Sequence, residues 1–282
     1  MPTYNRVEQL RNCVKSLENQ DYPNIVVFIV DNASGDDTEH FCRALVAQDE
    51  RFRYSRNDRN VGSNENMEIA RQMITEPYFM WLGDDDLISR QYISTCVKRL
   101  EADPSMALVS GRIIYHRKEG FGHTTLFQGI PFPRHNSDPK KRFREVLRTI
   151  IDAGGFYGVF RRAAVENIPL INSWGNDYLF LCEAAYRGRV ETQSLVGCFR
   201  QDNSADIPIS DSMLDSNTPA QQMENPFGAI AALFFWRILH GSTFNELEYE
   251  DKLLFALQCL QVIHSRWMVL EQPSMIDLSR EI

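Results

Sequence analysis

"IVVFIVDNASGDDT", residues 25–38, decides the fold. Its first six residues are apolar and mostly β-branched, with no polar alternation, so neither face of the strand they form meets water. A strand of that kind lies inside a parallel sheet covered by helices on both sides. The run stops at Asp31 and a turn-forming segment, after which Phe41, Cys42, Leu45 and Val46 fall on one helical face. These residues make the first strand-turn-helix unit of an α/β layer.

The alternation continues outward in both directions. Upstream, "NRVE" at 5–8 has the capping-box pattern, and Val7, Leu10, Val14 and Leu17 follow on one face of a helix. Downstream, Phe52–Tyr54 reads as a short strand and "NVGSNENMEIARQMI", 60–74, as a turn into a helix with Met67, Ala70 and Ile74 inward. "YFMWL", 78–82, is a strand, "ISRQYISTCVKRL", 88–100, a helix, and "MALVSGRIIYH", 106–116, a strand. These imply an α/β domain with a mostly parallel sheet, whose ligands bind beyond the carboxyl ends of the strands.

Residues 117–138, with Gly120, Gly122, Gly129, Pro131 and Pro133, have little periodicity, which in a compact domain marks a functional or disordered loop. "PKKRFREVLRTII", 139–151, resumes a helix with Phe143, Val146, Leu147 and Ile150 as its apolar stripe. Then "GGFYGVF", 154–160, reads as a strand, "NDYLFLCEAAYRG", 176–188, as a helix and "VETQSLVGCF", 190–199, as a strand. The composition turns polar from 201 to 225, and helices return from 226 to about 270.

Several functions are excluded at this level. A net charge of -8 and a pI near 5.3 argue against a nucleic-acid surface, because phosphate backbones select basic faces. The six cysteines form no C-x-x-C pair and fit free thiols in a reducing cytosol; the six histidines have no metal-ligand spacing. "PFGAIAALFFWRIL", 226–239, is too short to span a bilayer and reads as a buried helix. Lys140, Lys141, Arg142, Arg144 and Arg148 form a solvated face, with contact to an anionic acceptor or a membrane surface as the alternative.

"FMWLGDDDLIS", 79–89, carries the chemistry. Asp84, Asp85 and Asp86 repel one another, so clustering them costs stability unless something positive sits among them. The plain explanation is a polar turn with Asp86 capping the next helix; the sharper one is a divalent cation held by hard oxygen ligands at a strand's carboxyl end. Asp31 and the aspartate trio occupy equivalent strand ends, which favours a common site.

"PTYNR" (2–6), "VDNASGDDT" (30–38), "NVG" (60–62) and "WLGDDDL" (81–87) resemble, in order and spacing, the family 2 glycosyltransferases of the GT-A fold. "GNDYLFLCEAAYRGRV", 175–190, resembles the segment of that family bearing the catalytic base. The resemblance spans residues 1–204 and leaves 205–282 as a C-terminal helical extension. It implies inverting transfer from a nucleoside-diphosphate sugar to a polysaccharide or lipid-linked saccharide acceptor, assisted by Mg²⁺ or Mn²⁺. Such an enzyme acts in the cytoplasm or at the inner face of the cell membrane.

Carried over, Pro2, Thr3, Tyr4 and Arg6 line the nucleoside, Asp31 accepts from a base N–H, and Asn60 and Gly62 let the backbone approach the nucleotide. Asp85 is the leading metal ligand, with Asp84 on the ribose or the metal and Asp86 in support. Arg200 is placed near the diphosphate, with a structural salt bridge as the alternative. Asp177 is the general base, with helix capping as its alternative, and Glu183 is the next carboxylate in that segment.

The chain departs from the family at three places. Gly83 stands where many members have the first acidic residue of the D-x-D motif, and Asn176 stands where many have Glu. In the family a central strand directly precedes P-T-Y-N-R; here only Met1 does. A fold closed without it would leave backbone groups unpaired, so the expectation is a start further upstream. A nucleotide-sugar-binding relic without turnover and a sugar-nucleotide nucleotidyltransferase stay open as alternatives. The oligomeric state is open as well.

Overall fold

The computed structural model describes residues 1–118, 124–132, 136–150, 152–201, 222 and 224–268. Gly120, Gly122, Pro133 and the stretch 202–221 named above lie outside them. Two sheets organise the described chain. The first is parallel, in the order β1 (Pro2–Thr3), β2 (Val27–Asp31), β3 (Phe52–Arg56), with Thr3 opposite Asp31 and Asp31 opposite Arg56. The second runs β4 (Tyr78–Phe79), β8 (Val159–Arg161), β6 (Met106–Lys118), β9 (Arg189–Gln201), β5 (Leu87–Ile88), and β7 (Thr124–Gln128) pairs with β6. In it β6 and β9 are parallel, and the shorter strands join antiparallel.

The helices follow the apolar stripes. In α1 (Val7–Glu18), Leu10, Cys13, Val14 and Leu17 are buried, and in α5 (Pro139–Thr149) Phe143, Val146 and Leu147 are. Asp138 caps α5 by accepting from the Lys140 and Lys141 N–H groups, with Pro139 in the first turn where its missing N–H costs nothing. The others are α2 (Thr38–Gln48), α3 (Ser63–Gln72), α4 (Tyr92–Ala102), α6 (Arg162–Val165), α7 (Asn176–Arg187), α8 (Pro226–His240) and α9 (Tyr249–Ile263). Among the described residues no helix is long and apolar enough to cross a membrane. All six cysteines are free and buried.

Local expectations fail where tertiary contacts take over. "NRVE" is no capping box: Arg6 is the N-cap without a side-chain cap, and the Val7 N–H is taken by Asp36 from the neighbouring turn. Residues 154–157 form a 3-10 turn, not a strand. The helix expected from Ile88 begins at Tyr92, because Leu87 and Ile88 pair with β9 instead. Arg142 is not on a solvated face; its guanidinium donates to the carbonyls of Asn136, Ser137, Ala185 and Tyr186, tying α5 to α7.

Two apolar cores fill the structure. One joins β4, β6 and β8 to α5, α7, α8 and α9 around Phe143, Phe160, Phe180, Phe234 and Phe255. The other joins β2, α1 and α4 around Leu10, Ile29, Phe52, Tyr92 and Leu100. Consecutive residues bridge them: Trp81 packs in the first, stacked on Phe156 at 4.5 Å, and Leu82 packs in the second.

The strand expected over 78–82 is laddered only at Tyr78 and Phe79, on the β8 side. Its other flank faces an apolar groove of about 390 Å³ between β2 and the 78–82 segment, floored by Leu17, Ala70, Ile74, Ile93 and Val97. Met1 closes one end of this groove. Its ammonium donates to the Phe28 carbonyl at 2.7 Å and its carbonyl accepts from the Val30 N–H, which continues the line of β1. Burial pushes that ammonium down to about 6.

Candidate functional site

After Trp81 and Leu82 the chain turns at Gly83, with the Asp86 N–H donating to the Gly83 carbonyl at 3.2 Å. A Cβ at position 83 would lie 2.8 Å from the Asp86 carboxylate and 3.1 Å from that of Asp85. Glycine here therefore lets three carboxylates fold over one turn. Asp86 does not cap a helix, since Gln91 is the N-cap of α4. Register decides its partner. Leu87 lies opposite Phe199 in the antiparallel β5–β9 pair, which brings the preceding residue, Asp86, beside Arg200.

Two arginines supply the positive charge that the trio requires. Arg6 reaches Asp85 at 3.0 Å and Asp84 at 3.5 Å, and the Arg200 Nε contacts both Asp86 oxygens at 3.1 Å. The three carboxylates differ in environment. Asp84 is buried, accepts from the Thr3 hydroxyl at 2.7 Å, and burial pushes it up to about 6 against the opposing pull of Thr3 and Arg6. Asp86 is also raised by burial, with Arg200 pulling the other way. Asp85 keeps about a quarter of its side chain exposed.

As a cation site the donor set is small. Among the described residues no three His, Cys, Asp or Glu side chains converge as a ready-made metal cluster. Asp85 has accessible oxygens, and Asp84 sits behind it. Asp86 is engaged through both oxygens by Arg200, so its expected supporting place on a metal does not fit. One or two carboxylates completed by substrate phosphates and water is a normal Mg²⁺ arrangement, and Asp84 with Asp85 fits that form.

The residues expected around a nucleoside have different partners in the structure, although Thr3 and Asp31 lie opposite one another. Pro2 and Thr3 lie in β1, where Thr3 supports Asp84. Tyr4 is exposed, and its backbone N–H also faces Asp84. Asp31 has no exposed surface: its oxygens accept from the Ser34 N–H, the Tyr54 hydroxyl and Arg56 at 2.7–2.8 Å. Those donors hold it ionised below the ordinary carboxylate range although burial opposes them. As placed, Asp31 organises the turn after β2.

Gly62 has φ of 87°, a conformation that only glycine adopts without strain, as the turn assignment requires. Asn60 accepts from the Gly62 N–H and from Asn32. Asn32 in turn accepts from the Val61 N–H and Asn57; Asn57 donates to Asn66, and Asn66 to the Val30 carbonyl. Sequence reasoning missed Asn32, Asn57 and Asn66. Their concentration around two turns was the available signal, because each amide offers both donors and an acceptor.

Asp177 stands in the first turn of α7. Gly175, with φ of 76°, is the N-cap, so Asp177, which accepts from the adjacent Tyr178 N–H, does not cap the helix. Burial raises its proton affinity, the neighbouring Arg200 opposes this, and the Asp152 carboxylate reinforces it. Asn176 instead donates to the Ile171 carbonyl, a structural bond. Glu183, the fallback base, is excluded by position. It is fully buried and bonded to Arg237 at 2.9 and 2.7 Å and to the Thr243 hydroxyl.

Arg200 joins these groups. Its guanidinium lies 3.8 Å over the Tyr157 ring and 5.9 Å from that of Tyr115, with the charges of Asp86, Asp152 and Asp177 around it. The salt-bridge alternative for Arg200 is thus realised, at the edge of the trio. Tyr115, Asp152 and Tyr157 were not legible as site residues, because no motif marks them.

Known proteins resemble this chain in sequence and in fold. A curated relative, the GalNAc(5)-diNAcBac-PP-undecaprenol beta-1,3-glucosyltransferase of Campylobacter jejuni, is 28% identical over 168 residues, 59% of this chain and 52% of that protein. Glycosyltransferase GlyG of Streptococcus pneumoniae is 23% identical over 120 residues, 43% of this chain and 40% of that one. The chain thus spans about half the length, or less, of these relatives. The crystal structure of S. aureus TarS 1-349 in complex with UDP-GlcNAc superposes with a TM-score of 0.64 at 16% identity, covering 94% of this chain and 71% of that one, which shows a shared GT-A fold. The family model described as Glycosyl transferase family 2 matches residues 1–168, and with a trio of aspartates and a separate half-buried aspartate set about one arginine, the chain belongs to that family.

Proposed function

We propose that this chain transfers a sugar from a nucleoside-diphosphate sugar to a hydroxyl of a saccharide or lipid-linked saccharide, with inversion. The observation that carries this is that one guanidinium, Arg200, is paired with Asp86 of the trio and also acts electrostatically on the separate carboxylate Asp177. A trio serves the leaving group, whereas an isolated carboxylate with raised proton affinity serves the attacking one. Inversion places nucleophile and leaving group on opposite faces of the anomeric carbon, so the two sets of carboxylates act on different atoms. A relative named for a PP-undecaprenol-linked saccharide supports an acceptor of that class.

In this mechanism Asp84 and Asp85 would hold the divalent cation, Mg²⁺ or Mn²⁺. When bound, the cation neutralises charge on the departing diphosphate. Arg6 and Arg200 keep the carboxylates oriented, and Arg200 adds positive charge at the same end. Asp177 accepts the acceptor hydroxyl's proton as its oxygen attacks the anomeric carbon. Partial burial makes Asp177 a stronger base than an exposed aspartate, as proton abstraction requires.

The test is Asp177→Asn. Because Asp177 is not the helix cap, the variant keeps its fold. Loss of a general base lowers turnover by about 10²–10⁴-fold, measured as release of nucleoside diphosphate from a panel of sugar donors. Nucleotide affinity, measured by calorimetry, stays near the parent value. A well-folded variant with parental turnover removes Asp177 from the mechanism.

A further inference from the structure

Arg200 is paired with Asp86 and acts electrostatically on Asp177, and a row of side chains across the second sheet surrounds it. Asp86 lies beside Arg200 through the β5–β9 register, and Tyr115 lies opposite Arg200 in the parallel β6–β9 pair. Tyr115 is itself opposite Phe127 on β7, and the two rings stack at 5.1 Å, which fixes where the phenol points. Tyr115 Cε2 and Asp152 Oδ2 both lie against Gly129, which sets the carboxylate beside the phenol ring, and the Arg200 guanidinium lies 5.9 Å from the centre of that ring.

Asp152 is equally constrained. It follows α5 and precedes Ala153, whose φ of 48° turns the chain sharply, and its Oδ1 accepts from the Gly154 N–H at 2.9 Å. Its Oδ2 lies 2.5 Å from where a Cβ of residue 129 would be, so the carboxylate fits against β7's end only because that residue is Gly129. A half-buried carboxylate placed this closely, with no salt bridge of its own among the described residues, has its charge directed at Arg200.

We propose that Asp152 is a positioning residue for Arg200: acting through the Tyr115 hydroxyl, it holds the guanidinium at the seam between the aspartate trio and Asp177. Given the transfer reaction proposed above, on which this part rests, one cation then serves both the leaving diphosphate and the carboxylate that takes the proton. Without Asp152 the guanidinium keeps Asp86 and the Tyr157 ring but loses its tether on the far side. The run Asp86, Arg200, Tyr115, Asp152 therefore behaves as one strut, and cutting it at either of its last two members has the same effect.

The experiment uses the full chain without ligand, labelled with ¹⁵N-arginine, and follows exchange of the Arg200 Nε–H resonance, assigned by its disappearance in Arg200→Lys. Asp152→Asn and Tyr115→Phe are expected each to speed that exchange by roughly tenfold, the loss of about one hydrogen bond to a charged group. Tyr115→Phe keeps the stack on Phe127, so it decides the matter if Asp152→Asn does not fold. Exchange within twofold of the parent in the folded variants overturns the strut. A purely structural Asp152 would lower melting temperature without moving this resonance in Tyr115→Phe. Binding of a panel of nucleoside diphosphates with Mn²⁺, measured by calorimetry, separates the two proposals. Faster exchange in a chain that binds none of them leaves the strut and removes the transferase function, whereas unchanged exchange in a chain that binds one of them does the reverse.

Discussion

Asp84→Asn should make the metal-free protein more stable near neutral pH while removing what the site is built to do. Asp84 is almost fully buried, and its carboxyl is raised from 3.8 to about 6. A folded-state value above the unfolded one means the neutral form is favoured in the fold. Its stabilising contribution is complete below about 4 and is lost as pH rises through about 6. Near pH 8 the ionised group thus costs roughly 3 kcal/mol relative to its protonated form, at about 1.4 kcal/mol for each tenfold step.

Asparagine carries no charge and can still accept from the Thr3 hydroxyl, while the 3.5 Å contact with half-exposed Arg6 is worth well under about 1 kcal/mol. The net gain near pH 8 is about 2 kcal/mol, or roughly 4–8 °C in Tm for a chain of this size. Near pH 5 the parent's Asp84 is already largely protonated, so the gain falls to about half. The assay is thermal unfolding followed by circular dichroism in the presence of chelator, for parent and variant at both pH values. An equal shift at both, or a lower Tm for the variant near pH 8, refutes the reasoning. The same variant should bind a sugar nucleotide with Mn²⁺ more weakly than the parent, an exchange of stability for function.

Further outcomes follow from other contacts. Excess chelator, and separately Asp85→Asn, should weaken donor binding and collapse turnover; undiminished activity in chelator would exclude the cation from the mechanism. Glu183→Gln leaves the buried Arg237 without its counter-charge and should cost about 3–5 kcal/mol in a urea titration. A loss under about 1 kcal/mol would mean that the pair is dispensable. Fusing about six apolar, β-branched residues ahead of Met1, a typical strand length, should raise Tm by filling the groove between β2 and Tyr78–Trp81. A one-residue extension, which only removes the buried ammonium, is the control.

How much of this was legible in the sequence depends on how far apart the interacting residues lie. Val27–Asp31 was legible because an unbroken β-branched run has few alternatives to a doubly covered strand. The aspartate trio was legible because three adjacent carboxylates demand compensation. Its compensation was not: Asp86 and Arg200 are 114 residues apart, and only the pairing of β5 with β9 brings them together. Asp152 and Tyr115 are hidden for the same reason, since strand register is a tertiary property. Residues 5–8 misled in the opposite direction. A local capping pattern was overridden because Asp36, from another turn, supplied the acceptor first. Asp31 combines both cases, placed at a strand end as expected and bonded there by donors from β3 that no local pattern announces.

Trp81 and Leu82 give the site a mechanical character. Each is locked into a different apolar core, and the peptide bond between them is followed at once by Gly83 and the three aspartates. Any sliding of one core over the other is therefore delivered to the carboxylates within three residues, with glycine as the pivot. The stacked Trp81 ring anchors one side of that lever, and the β5–β9 pairing beyond Asp86 anchors the other. Relative motion of the two cores would thus re-aim Asp84 and Asp85, so that under the proposed function donor binding and core motion would be one degree of freedom.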